Sequence, residues 1–211
     1  MARIRRPSAL RPLSDRERRV RWRGDVVRAL LDISEVRVAM HRAPRVLEQL
    51  AEDADAQAAV LQWYGAYLAS AIRRQRDTGT HSRSLAATLL DMANHPAAAR
   101  SWSGEFIDVH LLREHRRELE RSSSDIARFA THAIAHATDV RVRPIAFDTL
   151  HAAVPVFASI VQRYSALLLG VTLIDRGDTF LPTWLAGERF EPMHPTLEEW
   201  AAGQPFNAYI S

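Results

Sequence analysis

The sequence predicts an all-α protein: a helical bundle of about five helices followed by an irregular C-terminal tail. Three observations carry that expectation. Apolar residues recur at spacings of three, four and seven through most of the chain. Capping residues stand ahead of several of these runs. No stretch alternates apolar and polar residues as a half-buried strand would, and no internal repeat is visible.

Residues 1–13 carry Pro7 and Pro12 among arginines and read as a flexible basic arm. Ser14-Asp15-Arg16-Glu17 has the capping-box form, in which serine and glutamate side chains satisfy each other's orphan backbone donors. The run through Val20, Val27, Leu30, Leu31, Ser34, Val38 and Met40 predicts an amphipathic helix over 14–41. Pro44 is expected to mark the join to a second long helix over 44–77. That helix carries Val46, Leu47, Leu50, Val60, Leu61, Tyr64, Tyr67, Leu68 and Ile72, and the acids Asp53 and Asp55 offer a break within it.

Thr78-Gly79-Thr80 supplies turn chemistry, and Ser82 or Ser84 can cap the next helix, 85–94, which Pro96 limits. After a connection around Trp102, the residues Phe106, Val109, Leu112, Leu119, Ile126, Phe129 and Ala133 mark a long helix. Ser122-Ser123-Ser124 is expected to interrupt it, with Ser124 recapping the second half. A loop over 140–144 leads to a last helix from Asp148 through Leu150, Val154, Phe157, Ile160, Val161, Tyr164, Leu167 and Leu168, which Pro155 should kink or delay. Beyond Gly170 the pattern dissolves. Pro182, Trp184, Pro192, Pro195, Trp200 and Pro205 suggest a tail that packs by aromatic anchors. The expected organisation is therefore an arm over 1–13, a bundle over 14–170 and a tail over 171–211.

A chain of 211 residues can bury a full core as one domain without disulfides or metal. It has no cysteine, which removes disulfides, thiolate zinc sites and a cysteine nucleophile and suits a reducing compartment. It also has no lysine, which removes Schiff-base chemistry and a phosphate-loop lysine. The formal charge is +3 but unevenly spread. Arginines dominate from Arg3 to Arg28, whereas Asp175, Asp178, Glu188, Glu191, Glu198 and Glu199 make the end acidic. Within the basic end, Arg16, Arg18 and Arg19 are candidate RNA-binding residues, because arginine-rich segments meet phosphate. No segment reads as membrane-spanning and the amino terminus lacks the apolar core of an export signal, so a cytoplasmic protein is expected.

The chemistry concentrates in one stretch, Asp125-Ile126-Ala127-Arg128-Phe129-Ala130-Thr131-His132-Ala133-Ile134-Ala135-His136-Ala137-Thr138-Asp139. Residues four apart on a helix share a face, so Arg128, His132 and His136 form one row of a cation and two groups that titrate near neutrality. His132 and His136 also have the spacing of a helical zinc site. Ala133 stands where a zinc protease needs its glutamate, so a metal site would instead recruit Asp139 or His151. Glycine-rich phosphate loops and a nucleophile elbow are absent. No cofactor is expected, and a metal-dependent helical-bundle enzyme using His132 and His136 stays open as one reading.

The order Trp63-Tyr64 to Ile72, then Arg74-Gln75-Arg76-Asp77, a short polar turn, Ser84-Leu85 and Leu89, resembles the AbiU2-like branch of the HEPN superfamily. The resemblance continues through a helix ending Ile134-Ala135-His136 and through Phe147-Asp148-Thr149-Leu150 to Tyr164. It spans about residues 58–170. It implies a helical bundle, a homodimer, and RNA binding or metal-independent RNA cleavage in a phage-defence or toxin–antitoxin system, with a protein antitoxin or defence partner. His136 matches the family's motif histidine, and Arg74 and Asp77 match its other polar positions. The arginine expected six residues before His136 falls at Ala130, whereas Arg128 lies eight before. The resemblance therefore implies either a ribonuclease with a rearranged site or a catalytically degenerate RNA-binding module. The family's motif has four to six residues between its arginine and histidine, a spacing that Arg76 to His81 also meets, but Gly79 and two threonines make that segment a turn.

Overall fold

A computed structural model describes residues 12–79, 82–131, 145–175 and 180–182. Within them the protein is an all-α bundle of five helices: α1 (Asp15–Gln49), α2 (Ala54–Arg76), α3 (Leu85–Asn94), α4 (Val109–Phe129) and α5 (Phe147–Leu169). The capping chemistry is local and appears as the sequence predicts at Ser14 and Ser84. Ser14 Oγ accepts from the Glu17 amide while the Glu17 carboxylate accepts from the Ser14 amide at 2.7 Å. Asp53 caps α2, Ser84 caps α3 and Asp108 caps α4.

The helices close on one core. α1 lies along α5, α2 and α3, and α4 packs on α2, α3 and α5. Trp22, Ile33, Leu68, Ile72, Leu85, Leu89, Met92, Leu112, Leu119, Ile126, Phe157 and Tyr164 are its largest fully buried side chains. Two polar links set α1 and α2 antiparallel: Gln57 Nε2 donates to the Leu47 carbonyl at 3.2 Å, and Gln75 Nε2 donates to Asp32 at 2.6 Å.

Pro44 behaves otherwise than its residue type predicts. α1 runs through Pro44 to Gln49, and the break falls at 50–53. α5 runs through Pro155. A proline inside a helix costs about 3 kcal/mol, but apolar burial continues on both sides of each one: Val36 and Val46 around Pro44, Val154 and Phe157 around Pro155. The triple serine does not interrupt α4 either. The hydroxyls of Ser122 and Ser123 turn back to the Leu119 carbonyl, satisfying themselves within the helix.

α5 ends at Gly170, left-handed with φ 69°, whose amide returns to the Ala166 carbonyl at 3.1 Å. Trp102 lies against this glycine so closely that a Cβ would sit 2.9 Å from the indole. After it come two strands that the sequence reading did not expect, β1 (Leu173–Asp175) and β2 (Phe180–Pro182), paired antiparallel. Gln162 Nε2 holds β1 to α5 by donating to the Leu173 carbonyl at 2.7 Å. The aromatic anchors expected of the tail, Trp184 and Trp200, lie outside the described residues.

Among the described residues, α5 alone is long and apolar enough to cross a membrane, with a mean hydropathy of 1.4 in its most apolar window. The bundle accounts for that composition, because Leu150, Val154, Phe157, Ile160, Val161, Tyr164 and Leu168 are all buried in the core.

Where α4 meets α5, buried His115 Nδ1 lies 3.0 Å from the Tyr164 hydroxyl. Burial pushes the phenol's pKa up, so the phenol keeps its proton and can donate it to a neutral imidazole. Burial, with Arg163 adding to it against Glu118 and Glu114, holds His115 below its ordinary 6.5. An unfolded chain would therefore take up this proton at a higher pH than the folded one. The stability linked to His115 is fully present above the unfolded value and is lost as pH falls below it. The urea midpoint should fall between about pH 7 and pH 5, more steeply in the wild type than in His115→Gln; parallel slopes would remove His115 from the acid response.

Candidate functional site

The last turns of α2 and α4 meet at a cleft of about 520 Å³ lined by Arg73, Arg76, Asp77 and Thr78 on one side and Glu120, Ser124, Ala127, Arg128 and Thr131 on the other. Helical spacing explains the membership. Positions 73, 76 and 77 share one face of α2, and 120, 124, 127, 128 and 131 share one face of α4. The basic last turn of α2 also answers the negative end of that helix. Arg76 is half-buried, and its Nε, fully buried, has no hydrogen-bond partner among the described residues.

The α2 end is fixed by a polar belt behind the cleft. Gln75 is buried, donates to Asp32 of α1 and accepts from the Leu85 amide of α3 at 3.0 Å. Ser84 Oγ donates to the Asp77 carbonyl while capping α3. The Asp77 carboxylate accepts from the Gly79 amide at 2.9 Å, so it shapes the turn as well as lining the cleft. Arg73, Arg76 and Arg128 thus line one cleft together with the carboxylates Asp77 and Glu120 and the hydroxyl residues Ser124, Thr131 and Thr78. Such a set can seat a phosphodiester, since guanidinium forks match phosphate oxygens in pairs.

The sequence-predicted residues divide accordingly. Arg128 and Asp77 are brought together in the cleft. Arg74 lies on the opposite side of α2, 3.5 Å from Asp32, and belongs to the belt. His132, His136 and Asp139 lie outside the described residues. Thr131, which lines the cleft, is the residue immediately before His132, and the backbone widens into a π-type turn over 130–131, with Thr131 Oγ1 donating to the Ala127 carbonyl at 2.8 Å. Turns of this type occur frequently at functional sites.

Among the candidate RNA-binding residues, Arg16 is exposed and Arg19 half-buried. Arg18 differs from both: its side chain is only 15% exposed and bridges Asp91 at 3.2 Å, so it ties α1 to α3. His151, which the metal alternative could recruit, is engaged elsewhere. Its Nε2 lies 2.9 Å from the Tyr64 hydroxyl, and Phe147 stacks on Tyr64 with ring centroids 5.7 Å apart. Burial pushes the Tyr64 phenol up to about 12, so it keeps its proton and can donate it to the imidazole. This contact joins two of the segments that carry the HEPN resemblance. No group of three or more histidines and carboxylates gathers at metal-binding spacing among the described residues.

Sequence reasoning missed Arg73 and set Arg76 aside with the turn that follows it. Their spacing from each other on the polar face of α2 was the available signal, but nothing local ties that face to Arg128, which lies some fifty residues on.

The fold and cleft together define an all-α bundle with a cleft at the ends of two helices lined by three arginines, Asp77 and Glu120. The sequence matches no protein-family model, no curated protein and no solved structure.

Proposed function

We propose that the protein is a HEPN-like RNA-binding or RNA-cleaving protein of a phage-defence or toxin–antitoxin system, acting in the cytoplasm as a homodimer and held in check by a protein partner. The observation that supports this reading best is the convergence of Arg73, Arg76 and Arg128 on one cleft, beside the residue from which the chain continues into His132 and His136. The exposed apolar residues Val20, Val27 and Leu31, spaced seven and four apart on the outer face of α1, support association with a second copy.

In the cleavage reaction the three arginines hold the phosphodiester and stabilise charge developing on its non-bridging oxygens. His136 and His132 divide the acid-base work. One takes the proton from the ribose 2′-hydroxyl as its oxygen attacks phosphorus; the other gives a proton to the departing 5′ oxygen as the P–O5′ bond breaks. The products carry a 2′,3′-cyclic phosphate and a 5′-hydroxyl, and no water or metal enters the chemistry.

The test is incubation of single-stranded RNA with the full chain in the presence of a chelator, with the product ends identified. Cyclic phosphate ends formed in chelator are the expected result. Activity that vanishes on chelation moves the assignment to a metal site using His132 and His136, and RNA binding without cleavage identifies the catalytically degenerate form.

A further inference from the structure

α4 has a second ordered face that neither the core nor the cleft uses up. Its inner face buries Leu112, His115, Leu119, Ser123, Ile126 and Ala130. On the opposite side His110, Arg113, Arg117, Arg121, Ser124 and Arg128 follow one another at spacings of three and four, and all six are exposed. Residues so spaced stack in one row, and at 1.5 Å per residue the row is roughly 27 Å long.

The arginines of this row are not spent on their neighbours. Glu114 and Glu120 flank it, and Glu120 pairs with Arg116, outside the row, at 3.3 Å. Among the described residues Arg113, Arg117, Arg121 and Arg128 enter no ion pair. At its C-terminal end the row enters the cleft through Ser124 and Arg128. The loop that precedes α4 presents Phe106, 64% exposed, with the Arg100 guanidinium 3.8 Å from its ring centroid. That loop is ordered by bonds from the Ser101 amide to the Glu105 carbonyl at 2.8 Å and from Arg100 Nη1 to the Gly104 carbonyl at 3.0 Å.

We propose that this row is the track of a single-stranded RNA, its phosphodiesters following the arginines out of the cleft and an unpaired base stacking on Phe106. The proposal rests on the RNA reading above and extends it to a surface outside the cleft. A row one residue wide addresses one backbone, and an exposed aromatic ring selects bases that are not already stacked in a duplex. A protein partner would call for an apolar, charge-depleted centre, which a row of arginines does not provide.

The experiment uses the full chain and a labelled 2′-O-methyl RNA single strand of about 12 nucleotides, within the usual site sizes for such binding; the methyl group blocks cleavage at the 2′ position. Fluorescence anisotropy is read over a salt series. Arg113→Gln/Arg117→Gln/Arg121→Gln should weaken binding at least tenfold and flatten the slope of log affinity against log salt by about 2, since each lost phosphate contact on a single strand is worth about 0.7. Phe106→Ala should weaken it about fivefold or more without changing the slope, and the matching duplex should bind less tightly than the single strand.

Wild-type affinity and slope in the triple variant overturn the proposal. If only Arg73→Gln/Arg76→Gln/Arg128→Gln weakens binding, the RNA reading stands and the track fails. If the wild type leaves the probe unbound, both fail. All three row arginines are exposed, so an unchanged thermal midpoint is expected of the triple variant and separates lost binding from lost folding.

Discussion

In the cleavage reaction proposed for this chain, His136→Ala should lower the rate by about a hundredfold or more, because a positioned acid-base group typically contributes at least that much. The expectation follows from the division of labour between the segment and the cleft. Arg73, Arg76 and Arg128 can hold a phosphodiester and draw off its charge, but a guanidinium keeps its proton and cannot take one from a ribose hydroxyl. The proton must go to a group that titrates near neutrality, and the chain carries such groups at His132 and His136, one and five residues beyond the cleft-lining Thr131. His132→Ala should cost a comparable factor, and the double variant far less than the product of the two, since the partners act as a unit. The wild-type rate should pass through a maximum near neutral pH, where one imidazole is protonated and the other is not. Arg128→Ala should instead keep the pH profile and lose rate throughout. Single-turnover cleavage of a labelled strand in chelator measures all of these, and undiminished activity in His136→Ala removes this histidine from the mechanism.

How much of this was legible in the sequence depended on how local each feature is. The caps at Ser14 and Ser84 involve residues within one turn, so residue type and spacing sufficed. Pro44 misleads because proline's local penalty is certain whereas the burial on either side of it is tertiary. β1 and β2 are three residues each, too short for alternation to register. In the site, Arg128 could be found from the four-residue spacing of its own helix. Arg74 matches a polar position of the resembled family, but residues two apart on a helix point to nearly opposite sides: Arg76 enters the cleft and Arg74 the belt. Arg18 looks like Arg16 and Arg19 in the sequence, and only its contact with Asp91 sets it apart.

That same contact places the largest stability effect at Trp22. The indole is fully buried in the first third of α1, and its Nε1 donates to Asp91 Oδ2 of α3 at 2.7 Å. Asp91 also takes Arg21 at 2.5 Å and Arg18 at 3.2 Å, and His95 Nδ1 lies 3.2 Å from its other oxygen. The carboxylate is thus a node by which one short helix holds the start of the longest one. Removing the ring leaves a cavity and strips the node of its buried donor, so Trp22→Ala should cost about 3–5 kcal/mol, a large share of the 5–15 kcal/mol by which domains of this kind are usually stable. Trp22→Phe keeps most of the apolar volume and loses the hydrogen bond, so it should cost less, about 1–3 kcal/mol. Asp91→Ala should fall nearer to Trp22→Ala, because it leaves the indole N–H buried without an acceptor and frees two guanidinium groups at once. Urea unfolding of the three variants against the wild type reads these differences. A loss below about 1 kcal/mol in Trp22→Ala, the size of an ordinary surface change or a single hydrogen bond, would mean that the first turns of α1 are not docked on α3, and with them would go the belt from Asp32 to Gln75 that fixes the cleft.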